Sequence, residues 1–356
     1  MFELAFRIFG GIILEKSRNI LVSVPVEESH MRQLQEAGPD CSFRFRDGTA
    51  LSDLKRQKFP FENLVKTAPV SQEDVDWADI ILGNVPAGFL HGGEKLKWLQ
   101  AESAGVEAYI RPGALAPGAV LTNATGAYGL AISEHMLALT LAVLKKLELY
   151  RDNQRLERWE SLGGVRSIYK STVLVLGMGD IGGAFGRQCK ALGAKVIGVR
   201  RTNTARPDYA DEVHLIGSLD RLLPQADIVA VTMPGTESTR GLLNRERIGL
   251  MKRGAVLINT GRGYIVDTEA LCDALERGDL AGAGLDVTDP EPLPQGHRLW
   301  HIPTAVVTPH ISGFYHLRET HTRVVNLFAE NLSRFLNGDP LKNQVDTAIG
   351  YRKTVT

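Results

Sequence analysis

At 356 residues, with 44% hydrophobic and 23% charged side chains, the chain is long for one typical domain and apolar enough for a sizeable core, which excludes a disordered polymer. Forty-one Lys and Arg balance forty-one Asp and Glu, so neither a nucleic-acid track nor a polybasic membrane anchor is expected, only small molecules or a second copy of the chain. Cys41, Cys189 and Cys272 are three cysteines without C-x-x-C spacing, which argues against a disulfide framework or a metal site and fits a reducing cytoplasm.

The first stretch, MFELAFRIFGGIILEK, is apolar but lacks a basic region before Arg7 and a small-residue cleavage site. It reads as an N-terminal extension packed on the surface. No other run approaches the ~18 apolar residues of a spanning helix. NILVSVP (Asn19 to Pro25) then predicts a buried strand, EESHMRQLQEAG a helix closed by Gly38, and CSFRFRD a second strand. SQEDVDWADIILGNV offers an N-cap, a short helix and another strand. This alternation implies a parallel sheet. From Gly126 to about Asn153 the pattern is one long helix, apolar enough to bury two faces between domains or subunits.

A second alternating series opens at Val173: VLVLG, AKVIGV, DEVHLI, ADIVAVTMP, AVLINTG, AGAGLDV and TAVVTPH. Short β-branched runs separated by helix-like segments predict a doubly wound sheet. The last helix, roughly Glu319 to Leu336, and the tail GDPLKNQVDTAIGY have no strand left to feed and should return to cover the first domain.

Gly177, Gly179 and Gly182 form G-x-G-x-x-G directly after an apolar strand. The first permits the tight turn, the second lets a pyrophosphate approach the backbone, and the third lets helix and strand pack closely. Asp180 and Ile181 open the following helix, whose amides and dipole favour phosphate, and belong to the same cofactor-binding turn. An NAD site usually places an acid after the next strand, but Arg200, Arg201 and Thr202 stand here, and Asp208 and Asp211 come too late. Two guanidinium groups and a hydroxyl suit a 2′-phosphate, so NADP(H) is expected, with NAD(H) possible.

Three further stretches are MKRGAVLINTGRGYIVDTEAL (Met251 to Leu271), GAGLDVTDPEPLP (Gly282 to Pro294) and VVTPHISG (Val306 to Gly313). With the glycine turn before them, they resemble in order and spacing the D-isomer-specific 2-hydroxyacid dehydrogenases. SAGVEAYI, SEHMLALTLAVLKKL and NQVDTAIGY extend the resemblance over most of the chain from about Asn19.

The resemblance implies an α/β fold of two Rossmann-like doubly wound parallel-sheet domains. A cofactor domain (125–315) is inserted in a flavodoxin-like substrate domain (1–124 plus 316–356). It implies that Arg262 binds a 2-keto acid's carboxylate and carbonyl, that His310 is the acid/base, and that Glu291 is its carboxylate partner. Asp286 would contact the nicotinamide carboxamide. Met233, Pro234, Thr239, Thr260 and Gly261 would line the cofactor, with Ser312 and Gly313 continuing that wall. Gly105 and Val106 would receive the substrate carboxylate, with Asn84 and Val85 as a second wall, whereas His135 reads as structural. A homodimer through the long helix is implied as well.

Three departures stand out: the missing acid, the glycine before Arg262 in NTGRG, and ISGFY after His310 where two glycines are more usual. No regulatory module like that of long phosphoglycerate dehydrogenases is expected after Tyr351. The expected activity is hydride transfer between NADP(H) and a small D-2-hydroxy acid/2-keto acid pair, such as glyoxylate or hydroxypyruvate. The alternatives are formate oxidation, where relatives pair the histidine with an amide rather than an acid such as Glu291, and a cofactor-sensing corepressor or scaffold of the same fold.

Overall fold

A computed structural model describes residues 17–48, 64–91, 95–348 and 350–352, so the expected N-terminal extension lies outside the described residues. In β1 (Asn19–Val22) Ile20, Leu21 and Val22 are all fully buried, as a parallel sheet covered on both faces demands. The chain continues through α1 (Glu28–Ala37), β2 (Ser42–Phe45), α2 (Gln72–Trp77), β3 (Ile80–Leu82), β4 (Trp98–Gln100) and β5 (Val120–Thr122). α2 starts where its sequence signals: the Ser71 hydroxyl accepts the Asp74 N–H while the Asp74 carboxylate accepts the Ser71 N–H. The five strands are parallel in the order β2-β1-β3-β4-β5, the flavodoxin-like arrangement.

Two helices, α3 (Gly129–Lys145) and α4 (Leu147–Arg155), replace the single helix expected from Gly126 to Asn153. Gly126, at φ 103°, keeps the first residues out of the helix, and Lys146, in the left-handed region at φ 57°, ends α3. The bend is held from outside. The Lys145 and Lys146 ammonium groups donate to the carbonyls of Arg166 and Leu162 at 2.7 and 2.6 Å.

All seven apolar runs predicted from Val173 are strands: β6 (Thr172–Leu176), β7 (Lys195–Arg200), β8 (Glu212–Leu215), β9 (Ile228–Val231), β10 (Ala255–Asn259), β11 (Leu280–Leu285) and β12 (Ala305–Val307). They are joined in part by α5 (Asp180–Ala191), α6 (Leu219–Leu222), α7 (Arg245–Leu250) and α8 (Thr268–Glu276). The sheet is parallel throughout, in the order β12-β11-β10-β9-β6-β7-β8, so the chain reverses direction between β6 and β9. A crevice at such a switch point is where open α/β sheets bind ligands.

The last helix, α9 (Arg318–Asn337), returns to the first sheet as expected and packs on α1. Phe335 stacks on Trp98 with ring centroids 5.2 Å apart, and the Asn331 amide donates to Gln100 Oε1 at 2.7 Å. Beyond it, Asn343 donates to the carbonyls of Asn123 and Thr125, and β13 (Val345–Asp346) pairs with β14 (Tyr351–Arg352). No described helix is long and apolar enough to cross a membrane.

Candidate active site

Gly177 leaves β6 at φ 99°, a conformation L side chains rarely adopt, and a Cβ on Gly182 would lie 2.0 Å from the Gly177 carbonyl oxygen. Only glycine lets α5 start so close to the strand. Gly179 is the N-cap of α5 and offers no side chain to the first-turn amides, while a Cβ on it would meet nothing within 4 Å. These N–H groups therefore open on free space, as an anion site requires. Asp180 turns its carboxylate to the Gly126 N–H at 3.1 Å, tying the glycine turn to the chain that crosses between the sheets, and Ile181 is half-buried beside it.

A cleft of about 380 Å³ runs from Gly177 and Gly179 past Arg200, Arg201 and Thr202 to Met233 and Pro234. Arg200 donates to Asn203 Oδ1 and the Ala205 carbonyl, both at 3.0 Å, and so curls the loop that carries the exposed Arg201 and Thr202. Asn203 also lines this cleft and was not singled out from the sequence. Across it, buried Thr239 donates to the Pro234 carbonyl at 2.9 Å and accepts the Thr236 N–H at 2.9 Å, which fixes the loop after β9. Gly261 donates its N–H to Asn259 Oδ1 at 3.0 Å. The Thr260 hydroxyl is buried with no hydrogen-bond partner among the described residues. An orphaned hydroxyl at one strand end and an open glycine cradle at another fit a dinucleotide.

β12 leads into His310, which takes a left-handed φ of 54° and donates its N–H to the Asp286 carbonyl at 2.8 Å. Its Nδ1 lies 2.6 Å from Glu291 Oε1, and both side chains remain about 40% exposed, open to a reacting partner. An imidazole tied through Nδ1 has Nε2 left for proton transfer. Asp286, at the end of β11, is only 1% exposed and accepts from Thr308 Oγ1 at 2.6 Å, Ile311 N at 2.9 Å, Ser312 N at 3.0 Å and the Ser312 hydroxyl. Those four donors fill the carboxylate and clamp the loop carrying His310. His135, expected to be structural, is held by its Nε2 3.0 Å from Thr308 Oγ1. Gly313 backs onto Ile132 of α3 and onto Tyr128, the residue that precedes that helix.

Arg262 follows β10, which is two strand spacings from β12, about 10 Å. Its guanidinium donates through Nε to Glu107 Oε1 at 2.9 Å, through one terminal nitrogen to Glu107 Oε2 at 3.3 Å, and through the other to the Gly261 carbonyl at 2.8 Å. Glu107 belongs to the loop after β4, so this pair joins the two sheets. A Cβ on Gly105 would stand 1.8 Å from that guanidinium, so a side chain there would make Arg262 shift from this position. Asn84 holds the same loop, its Oδ1 accepting the Glu102 N–H at 3.3 Å. Val85 and Val106 turn their side chains into the core, and the Val85 N–H and carbonyl are both held by the Tyr109 hydroxyl, at 3.1 and 2.8 Å.

Glu102 lies beneath this loop, where burial pushes its carboxyl up to about 7 despite the Tyr315 hydroxyl that donates to it. Its other oxygen has no hydrogen-bond partner among the described residues. Tyr128 donates to the Glu102 carbonyl at 2.5 Å. Both passages of the chain between the sheets, through Tyr128 outward and Tyr315 on return, therefore meet at Glu102. Neither Glu107 nor Glu102 was singled out from the sequence; an acid two residues after Gly105 was the available signal for the first.

Residues 137–312 match the family described as D-isomer specific 2-hydroxyacid dehydrogenase, NAD binding domain. The chain is 30% identical over 285 residues to a glyoxylate reductase of Korarchaeum cryptofilum, covering 80% of this chain and 81% of that relative. A D-isomer specific 2-hydroxyacid dehydrogenase of Xanthobacter autotrophicus Py2, solved with NADPH and MES, matches with TM-score 0.76 at 28% identity over 94% of this chain and 100% of that one. The NADPH-dependent glyoxylate/hydroxypyruvate reductase of Sinorhizobium meliloti, solved with NADP and sulfate, matches with TM-score 0.74 at 25% identity over 94% and 99%. The fold and crevice are thus those of a nicotinamide-dependent oxidoreductase. The chain belongs to the D-isomer specific 2-hydroxyacid dehydrogenase family.

Proposed function

We propose that this oxidoreductase uses NADPH to reduce a small 2-keto acid such as glyoxylate or hydroxypyruvate to its D-2-hydroxy acid, or runs the reverse. Residues 125–315 form the cofactor domain, and residues 1–124 with 316–356 form the substrate domain. The 2.6 Å contact between His310 Nδ1 and Glu291 Oε1, on the same sheet edge as Arg262, carries this reading. Reduced nicotinamide, when bound, supplies the hydride.

The chain's own residues do the rest. Glu291 holds His310 through Nδ1 and leaves Nε2 to carry the transferable proton, which passes to the alkoxide oxygen. Arg262 keeps one N–H on each terminal nitrogen beyond those given to Glu107 and Gly261. That end-on pair binds the substrate carboxylate or polarises its carbonyl. Asp286 acts through the loop it clamps, fixing His310. Arg201, Thr202 and the loop shaped by Arg200 receive a 2′-phosphate.

None of the three cysteines forms a disulfide, which fits a reducing cytoplasm. Exposed apolar side chains beside α4 supply the contact of a homodimer. A panel of 2-keto acids with NADH and NADPH tests the activity. Turnover with NADPH and at least one small 2-keto acid is expected, and His310→Ala and Arg262→Ala should each lower it by at least ~100-fold. Near-full activity in either variant would remove that residue from the mechanism.

A further inference from the structure

Around Arg262 the fixed charges cancel. Glu107 takes the Nε side of its guanidinium with both oxygens, at 2.9 and 3.3 Å. Beside this pair stands Tyr264, within electrostatic reach of Glu107, Arg262, Arg240 and Glu237. Arg240 lies over the Tyr264 ring, 4.3 Å from its centroid, and itself pairs with Glu237 at 4.0 Å. The two cations are therefore matched by two anions. Gly105 leaves room for the first match, since a Cβ there would press on the guanidinium where it now sits.

A site with one arginine left to itself attracts any anion, and a second anionic group on the ligand gains from the surplus charge. Among the described residues around Arg262 that surplus is absent. A monoanionic 2-keto acid can use the end-on N–H pair, but a further phosphate or carboxylate on it would approach Glu107, whose charge no unmatched cation offsets among the described residues of this cluster.

We propose that Glu107 is a specificity-determining residue that restricts the site to monoanionic 2-keto acids with a neutral substituent and rejects those carrying a second anionic group. This rests on the reduction of 2-keto acids proposed above. Glu107 keeps its hold on Arg262 in the loaded site and orients the end-on N–H pair, so that one carboxylate both positions the arginine and repels dianions.

The experiment compares 2-ketobutyrate, a monoanion, with oxaloacetate, a dianion of similar length, in the full-length protein and its Glu107→Gln variant. Glutamine keeps the side chain's length and one acceptor but removes the charge. The ratio of kcat/KM for oxaloacetate over 2-ketobutyrate should rise at least ~10-fold in the variant; a ratio within twofold of the original would overturn the proposal. Calorimetric titration of the NADPH-bound protein with tartronate and with D-lactate reads the same preference without turnover. If neither keto acid is reduced, the proposed activity fails, while this binding ratio still decides the role of Glu107: a rise of ~10-fold supports it and an unchanged ratio refutes it.

Discussion

Arg200 and Arg201 divide the work of one recognition loop. Arg200 spends part of its guanidinium on Asn203 and Ala205, setting the loop's shape, and Arg201 and Thr202 present themselves on it. Replacing both arginines in Arg200→Asp/Arg201→Asp should lower the NADPH over NADH ratio of kcat/KM by at least ~10-fold, since each charge-assisted contact is worth about 1.5–3 kcal/mol. Steady-state kinetics with both cofactors checks this, and an unaltered ratio would show that the 2′-phosphate is not bound there. At this scale the sequence was informative wherever a residue sits in a local motif: Arg200 closes β7, and Arg262, Glu291 and His310 lie in the loops after β10, β11 and β12. Glu107 escaped because its partner is 155 residues away and on another sheet, a contact that no local spacing encodes.

Elements were legible for the same physical reason that makes them stable. Strands buried on both faces must be apolar throughout, and Val173, Leu174, Val175 and Leu176 are fully buried, so β6 announces itself. The bend at Lys146 was not legible, because lysine is no helix breaker and the groups that hold the bend, the carbonyls of Leu162 and Arg166, come from an irregular segment later in the chain. Beyond α4, Leu156, Trp159 and Val165 are exposed at 59, 103 and 51%. In the proposed homodimer these large exposed apolar side chains would supply the contact, and a tryptophan buried on association is a common anchor of one. Trp159→Ala should weaken self-association by about 30-fold in sedimentation equilibrium, equivalent to ~2 kcal/mol. A wild-type protein that sediments as a monomer at all concentrations would rule out the homodimer.

For the molecule as a whole, two buried groups set opposing responses to pH. Glu102, enclosed by Tyr315, Tyr128, Tyr109 and Asn84, has its carboxyl pushed up by burial from an ordinary value near 4.5 to about 7. The folded state then holds the proton that the unfolded chain releases, so its contribution is full below about pH 4.5 and is lost as pH rises toward about 7. His321 packs edge-on against Tyr315 and His30, with Glu27 and Arg318 nearby, and burial pulls it down to about 4. Its contribution is full above about pH 6.5 and is lost as pH falls toward about 4. Each is on the order of 3 kcal/mol, and between pH 4.5 and 6.5 they largely cancel. Scanning calorimetry should therefore find that Glu102→Gln gives a melting temperature rising with pH in that window and His321→Gln one that falls. Profiles parallel to the wild type in both variants would contradict this balance.

The return of α9 and the tail to the first sheet also orders events during synthesis. Asn331 reaches back to Gln100, and Asn343 to Asn123 and Thr125, so the sheet that emerges first from the ribosome waits for the segment that emerges near the end. The seven strands between Thr172 and Val307 are contiguous and can close around their own core before that segment exists. The half that would select the substrate is thus completed last, against a neighbour whose strands have all been made by then.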